Sequence, residues 1–181
     1  MIVIFTEEPS MEALVRDLIN RCFPAHGEFA DWMILSYSGK SDLERQFPKR
    51  MKGWSWGDPR FLILRDNDGG DCRALKKHLC SLAAASGKPY KVRIVCQELE
   101  GWFIGDSLAV NAAYPRCKFS NDTAKYRDPD RLTNASDELA RLTGDRTKQT
   151  RASLIAPHLD PARNHSRSFR LFFETLHRLL A

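Results

Sequence analysis

The sequence lacks any run of about 18 consecutive apolar residues, the length that a membrane-spanning helix requires. Its first eight residues, Met-Ile-Val-Ile-Phe-Thr-Glu-Glu, carry no basic residue ahead of the apolar ones and become acidic at once. They are typical of a first β-strand and not of a secretory signal peptide. We therefore expect no membrane association and a location in the cytoplasm.

Several motifs that would identify common enzyme classes are also missing. The five cysteines include no Cys-x-x-Cys pair and the five histidines show no ligand spacing, which argues against a zinc site or a disulfide framework. No Gly-x-x-x-x-Gly-Lys-Ser/Thr loop, Gly-x-Gly-x-x-Gly turn or Gly-x-Ser-x-Gly elbow is present. These absences argue against a P-loop nucleotidase, a dinucleotide-binding enzyme and an α/β-type serine hydrolase.

Charge is present but unevenly placed. Residues 1–115 contain 15 basic and 15 acidic side chains, whereas residues 116–181 contain 13 basic and 8 acidic ones and hold the whole net charge of +5. A neutral domain followed by a basic segment suits a polyanionic partner such as nucleic acid. A basic solvated face without a specific partner is an equal alternative.

Short apolar runs alternate with segments of helical periodicity. The runs predict strands at about residues 2–6, 31–37, 60–65 and 90–96. Helical spacing predicts helices at about residues 9–22, 41–51, 72–85, 102–110, 136–142 and 148–158, and one from about residue 168. Ser41 and Glu44 form a capping-box pattern at the start of the second helix.

This alternation predicts an α/β fold with a mostly parallel, four-stranded sheet flanked by helices. No clean linker interrupts the chain, whose 181 residues suit one domain. We divide that domain into an α/β core at 1–113 and a basic, mainly helical C-terminal extension at 114–181.

Acidic residues follow three of the predicted strands. In a parallel sheet these strand ends share one edge, where ligands of open α/β sheets bind. Carboxylates gathered there repel one another unless a cation such as Mg²⁺ or Mn²⁺ neutralises them. The residues concerned are Glu7 and Glu8 after the first strand, Asp66, Asp68 and Asp71 after the third, and Glu98 and Glu100 after the fourth.

Other interpretations remain open for parts of this set. Asp71 has the position of a helix N-cap, and Glu98 or Glu100 could complement a helix dipole. Arg65 precedes Asp66 and could pair with an acid or reach a phosphate. A strand followed by Asp-x-Asp-Gly is also similar to haloacid dehalogenase-type phosphatases, in which the motif follows the first strand and not the third.

An acid after the first strand and Asp-x-Asp after the third resemble the TOPRIM fold of topoisomerases, primases and overcoming-lysogenization-defect nucleases. Glu7, within Thr6-Glu7-Glu8-Pro9-Ser10, matches the glutamate that acts there as metal ligand or acid/base. Asp66 and Asp68 match the Asp-x-Asp that binds Mg²⁺. Glu8 replaces the usual glycine of that turn.

A closer resemblance is to the bacterial TOPRIM-like family called domain of unknown function 4276. The resembling segments span nearly the whole chain: Thr6–Glu12, Gly39–Leu43, Asp66–Asp68 with Asp71-Cys72 and Leu75-Lys76, Gln97–Phe103, Ala113–Pro115, Arg127–Asp130 and Asn164–Phe169. The resemblance implies a TOPRIM-like fold. It also implies a neighbouring gene for an ATPase of the structural-maintenance or ATP-binding-cassette type.

The sequence therefore predicts a Mg²⁺- or Mn²⁺-dependent nuclease acting on DNA or RNA, in phage defence or genome maintenance and together with an ATPase. Asp66, Asp68 and Glu7 would be catalytic and would hold the metal, and Glu98 would be a further ligand. Candidate phosphate contacts are Lys40, Lys148 and Arg167.

An alternative from another class is a non-catalytic TOPRIM-like partner of an ATPase. The loop Trp54-Ser55-Trp56 would then be a contact surface, whereas packing of these aromatic rings is the commoner outcome for such residues. A homodimer is open under both hypotheses.

Overall fold

A single parallel sheet organises the protein. The computed structural model describes residues 1–180 and contains the strands β1 (Ile2–Thr6), β2 (Trp32–Ser36), β3 (Arg60–Asp66) and β4 (Tyr90–Val95). Their order across the sheet is β2-β1-β3-β4, and each neighbouring pair is parallel. The predicted α/β fold is thus confirmed. The strands end together at one edge, called the carboxyl edge below.

In the described part of the chain, residues 1–180, eight helices flank this sheet. They are α1 (Pro9–Cys22), α2 (Lys40–Lys52), α3 (Cys72–Ala84), α4 (Glu100–Ile104), α5 (Ser107–Ala113), α6 (Ala135–Thr143), α7 (Lys148–Ile155) and α8 (Arg167–Leu180). Single 3₁₀ turns lie at Pro129–Arg131 and Ala156–His158. Within residues 1–180, none of the helices is long and apolar enough to span a membrane.

Two local predictions were wrong. The capping box at Ser41 and Glu44 is absent, because α2 begins earlier, with Gly39 as N-cap and no side-chain cap. Gly39 adopts φ 96°, and its N–H donates to the Glu7 carbonyl (2.9 Å), which fixes the chain at that point. The apolar helix expected over 102–110 is two helices, because Asp106 caps a new start with its Oδ1, 3.1 Å from the Ala109 N–H.

The sheet is covered on both faces, and alternate strand residues enter different cores. On β1, Val3 and Phe5 pack with the apolar side chains of α2 and α3, whereas Ile2 and Ile4 pack with those of α1 and the C-terminal helices. This alternation is the expected result of the two-residue period of a strand. All five side chains of β1 are buried, as in a central strand of a parallel sheet.

The C-terminal helices complete the core. On α8, Phe169 and Phe172 place their ring centroids 5.2 and 5.0 Å from that of Trp102. The Trp102 Nε1–H donates to Ser168 Oγ (2.7 Å). Residues of α6, α7 and α8 therefore share one buried cluster with β1 and α1. The boundary between core and extension at residue 113 stays a prediction based on composition, because side chains from both sides of it pack in the same cluster.

The paired tryptophans before β3 have different environments. Trp54 packs edge-on against Phe61, with a centroid separation of 5.7 Å. Trp56 is 58% exposed. Packing therefore accounts for one ring and leaves the other at the surface.

Gly105, between α4 and α5, provides a test of this packing. A Cβ there would collide with the side-chain amide of Asn164 and lie 3.1 Å from the Ser166 nitrogen. Asn164 is buried and bonded to the Trp102 carbonyl and the Ser166 N–H, so it cannot retreat easily. We expect Gly105→Ala to lower the free energy of unfolding by about 2–4 kcal/mol in urea denaturation.

Gly27→Ala is the matched control, because its added Cβ would meet only Ala30 at an ordinary 3.6 Å. Equal stability of the two variants would contradict close packing at the α4–α5 junction.

Candidate active site

The site forms where β1 and β3 end side by side. Thr6, the last residue of β1, is in register with Leu64 of β3, so Glu7 continues beside Arg65 and its side chain reaches Asp66, one residue further on. The Asp66 N–H donates to Glu7 Oε2 (3.1 Å). Parallel pairing thus brings together two acids that are 59 residues apart.

Asp66 is one of the two buried acids of the site. It is only 4% exposed, and its Oδ2 accepts from the Leu99 N–H (3.3 Å). Its Oδ1 has no hydrogen-bond partner among the described residues. Burial raises the pKa of Asp66 well above its usual range, and the charges of Glu7, Glu8 and Glu100 raise it further.

The pKa of Glu7 is also raised, chiefly by burial, with smaller contributions from Asp68 and Glu8. Arg65 and the Asp66 N–H oppose this shift. The two neighbouring carboxyls therefore both favour protonation or a bound cation.

Asp68 has a different environment. Its backbone is left-handed, with φ 52°, and its N–H donates to the Gln97 carbonyl (2.9 Å). The side chain turns toward cations: Lys40 Nζ lies 3.2 Å and Arg65 Nη1 3.9 Å from Oδ2. Arg65 also places its Nε 3.0 Å from Glu44 Oε1. Of the two alternatives for Arg65, pairing with an acid or contact with a phosphate, the structure shows the first.

The acids after β4 contact α6 and α7. Glu98 Oε2 accepts from the Ser136 N–H (2.8 Å) near the start of α6. Glu100 is 2% exposed, and its Oε1 accepts from Arg151 Nη2 (2.8 Å) and Ser136 Oγ (3.1 Å). The charge of Glu100 is one cause of the raised pKa of Asp66.

Sequence reasoning missed Arg151, the buried partner of Glu100. Its Nη1 also donates to the Asp145 and Ser136 carbonyls, at 3.0 and 3.3 Å. The sequence did contain one indication of this role. Arg151 lies four residues before Ile155 and therefore on the same, buried face of α7, where an arginine requires an acidic partner.

Lys148 lies among the acids. Its Nζ is 3.8 Å from Glu8 Oε2 and 4.0 Å from Glu100 Oε1. Burial lowers its pKa, but Glu100, Glu8, Asp66 and Glu98 outweigh that effect and raise it. Glu8 is held by a hydrogen bond from Ser10 Oγ. Lys148, whose side chain is 42% exposed, is therefore a cation at the surface of the site that partly neutralises its acids.

The other candidates lie around or outside this centre. Lys40 contacts Asp68, as described above. Arg167 is exposed on α8 and has no salt bridge with a carboxylate within residues 1–180. Asp71 caps α3, its Oδ1 accepting from the Arg73 and Ala74 N–H groups at 2.8 and 3.3 Å. The capping alternative for Asp71 accounts for all of its contacts.

The residues fit a hard divalent cation by their chemistry. Glu7 and Asp66 present carboxylate oxygens, and Asp66 Oδ1 is buried and unpartnered. Mg²⁺ is commonly held by one or two carboxylates with waters and substrate phosphate. Across residues 1–180, no three His, Cys, Asp or Glu side chains are already arranged around a common point for a metal. Asp68 would have to leave Lys40 to join such a set.

Comparison with known proteins extends this description. None of the curated proteins compared with the chain matches it. The C-terminal region of the Burkholderia pseudomallei OLD protein has a similar structure, with a TM-score of 0.60 and 17% sequence identity over 99% of this chain and 98% of that one. This likeness concerns the fold, which is TOPRIM-like as predicted.

The family comparison agrees with the structural one. The model of the family described as domain of unknown function 4276 matches residues 6–177, which include every acid of the candidate site. The chain therefore belongs to the domain of unknown function 4276 family.

Proposed function

We propose that the protein hydrolyses phosphodiester bonds of nucleic acid with Mg²⁺ or Mn²⁺, as a cytoplasmic nuclease working with an ATPase in phage defence or genome maintenance. The observation that carries the proposal is the contact between Glu7 and Asp66 at the carboxyl edge, with Asp66 Oδ1 buried and unpartnered. The TOPRIM-like fold supports it, because β1 and β3, which precede the two acids, are neighbours in the sheet.

A cation explains why these acids are kept together. An ionised carboxylate loses much of its hydration on burial, and a second negative charge nearby adds to that cost. Both effects raise the pKa of Asp66. A divalent ion would compensate them, so Glu7 and Asp66 are the proposed ligands, with Asp68 joining once it is released from Lys40.

Each residue then has a chemical role. A divalent ion, when bound, would polarise a phosphoryl oxygen and lower the pKa of a bound water. Glu7, whose pKa is raised chiefly by burial, is suited to accept or return a proton. Lys148 and Lys40 could bind the substrate phosphate through their ammonium groups. The phosphate would then compete with Glu8 and Asp68, the carboxylates that these lysines contact now. Glu98 remains a more distant candidate ligand because Ser136 binds it.

The phosphatase alternative receives no support from the fold, since Asp66 and Asp68 follow the third strand of a TOPRIM-like sheet. The non-catalytic alternative has a specific observation in its favour. Lys148 and Arg151 already supply positive charge to Glu8 and Glu100, and Lys40 supplies it to Asp68. A site neutralised in this way could serve as a docking surface for an ATPase.

Nuclease activity is tested with purified protein on plasmid DNA, single-stranded DNA and RNA, each with Mg²⁺, Mn²⁺ or EDTA. We expect metal-dependent cleavage that Asp66→Asn with Asp68→Asn reduces by roughly 100-fold or more, since loss of outer-shell partners alone typically costs 10–100-fold.

The control is Asp71→Asn, because asparagine caps a helix as well as aspartate does and the substitution removes one negative charge from the same loop. Full activity in this variant is expected. Absence of cleavage by the folded wild-type protein in all metals, together with co-purification of an ATPase, would favour the non-catalytic alternative.

Stability should depend on the charge of Asp66. Its pKa is raised in the folded state, so the folded protein binds the proton more tightly than the unfolded chain does. The associated stability is present below the unfolded pKa of about 3.9 and is lost as pH rises through the folded pKa. We expect metal-free Asp66→Asn to be more stable than the wild type at pH 8, because the amide leaves no charge to be buried.

Thermal unfolding at pH 5 and pH 8, with EDTA or Mn²⁺, measures this difference. Mn²⁺ should raise the midpoint of the wild type more at pH 8 than at pH 5, because protons compete with the metal, and should leave Asp66→Asn unchanged. A wild type that is more stable than Asp66→Asn in EDTA at pH 8 would contradict burial of an uncompensated charge.

A further inference from the structure

A groove runs beside the carboxyl edge, on the side of α3 and α8. It consists of two adjoining depressions of about 260 and 510 Å³ that share Cys96, Asp130 and Arg167 in their walls. One wall begins at Cys72, directly after the loop that carries Asp68. Cys96 precedes Gln97, whose carbonyl binds the Asp68 N–H. The groove therefore opens next to the acids of the site.

Exposed cations line this surface, which we call the basic groove and define by six residues: Arg73, Lys76, Arg127, Arg131, Arg167 and Arg170. Two carboxylates, Asp128 and Asp130, face them. Both carboxylates are already engaged. Asp130 accepts from Ser166 Oγ (2.6 Å) and from the Ser168 N–H (2.8 Å), and Asp128 pairs with Arg131 (3.1 Å).

The remaining cations are uncompensated. Within residues 1–180, Arg131 is the only one of the six that lies within salt-bridge distance of a carboxylate. Arginine guanidinium groups match phosphate oxygens in geometry and are weakly hydrated, so a surface rich in them favours phosphates. A row of such groups that begins after the loop carrying Asp68 is suited to a chain of phosphates.

We infer that the basic groove binds the sugar-phosphate backbone of a nucleic acid duplex and directs it to the acids at the carboxyl edge. This inference rests on the proposed nuclease function and specifies its substrate as double-stranded. Arg73 on α3 and Arg167 on α8 contact the backbone from opposite walls.

The absence of aromatic side chains from the groove favours a duplex over a single strand. Proteins that bind single strands without sequence preference stack the bases on aromatic rings. The residues that line the two depressions include no Phe, Tyr or Trp. The exposed aromatic rings, Phe29 (63%) and Trp56 (58%), lie in loops that precede β2 and β3 and thus at the opposite edge of the sheet.

The test measures binding separately from cleavage. Fluorescence anisotropy with a labelled duplex of about 20 base pairs, and with one of its strands alone, is performed in EDTA over a range of salt concentrations. The groove variant combines Arg73→Gln, Lys76→Gln and Arg167→Gln, whose side chains form no hydrogen bond or salt bridge within residues 1–180. Thermal unfolding checks that each variant is folded.

The control variant removes the same charge elsewhere. It combines Lys49→Gln, Arg50→Gln and Lys52→Gln, which are exposed residues in the last turn of α2. This end of α2 lies at the edge of the sheet opposite to the acids, whereas its first residue, Lys40, contacts Asp68. It therefore separates the effect of the groove from that of the net charge.

We expect the wild type to bind the duplex at least tenfold more tightly than the single strand. The groove variant should weaken duplex binding by about tenfold or more and reduce the slope of log affinity against log salt by roughly 2 to 3, about one for each lost phosphate contact. The control variant should change the slope by less than one.

Three outcomes would overturn the inference. They are an equal loss of duplex affinity in the two variants, equal affinity of the wild type for duplex and single strand, and displacement of the duplex by polyglutamate at equal charge concentration, which would indicate an acidic protein partner.

Plasmid cleavage with Mn²⁺ decides the proposed function independently. If the wild type cleaves DNA and the groove variant still binds the duplex normally, the nuclease proposal stands and the groove inference fails. If duplex binding depends on the groove but no metal supports cleavage, the groove inference stands and the nuclease proposal fails.

Discussion

The arrangement of the carboxyl edge depends on the burial of one carboxylate. Asp66 ends a central strand, so its side chain is enclosed by the neighbouring strand ends and by the chain that follows β4. The Leu99 N–H satisfies one of its oxygens and leaves the other without a protein partner. Such a group is stable only if its surroundings supply positive charge or a proton. Lys148 and Arg151, both on α7, bring two cations to this region.

Much of the fold follows from local patterns and could be predicted. The apolar run before Asp66 is a buried strand, and the acids after β1 and β3 meet because parallel strands end at one edge. The helical spacing in the last fourteen described residues also corresponds to α8. Periodicity indicates which face of an element is buried, and alternation of strands and helices limits the topology to few choices.

The partners of the site residues could not be predicted in the same way. Glu100 and Arg151 are separated by 51 residues, and Lys40 and Asp68 by 28, so no spacing within one helix or strand connects them. These pairs depend on how α2 and α7 pack against the sheet. The contacts of Glu98 and Glu100 show the same limit, since both acids bind Ser136 and so depend on the position of α6.

The position of α8 in the chain has a consequence for biosynthesis. This helix supplies Phe169 and Phe172 to the core around Trp102 and Arg167 to the wall of the basic groove. It follows every other described element in sequence, so it is the last of them to leave the ribosome. The four strands and the acids Glu7 and Asp66 are therefore synthesised before the helix that completes both the core and the surface that would guide nucleic acid to them.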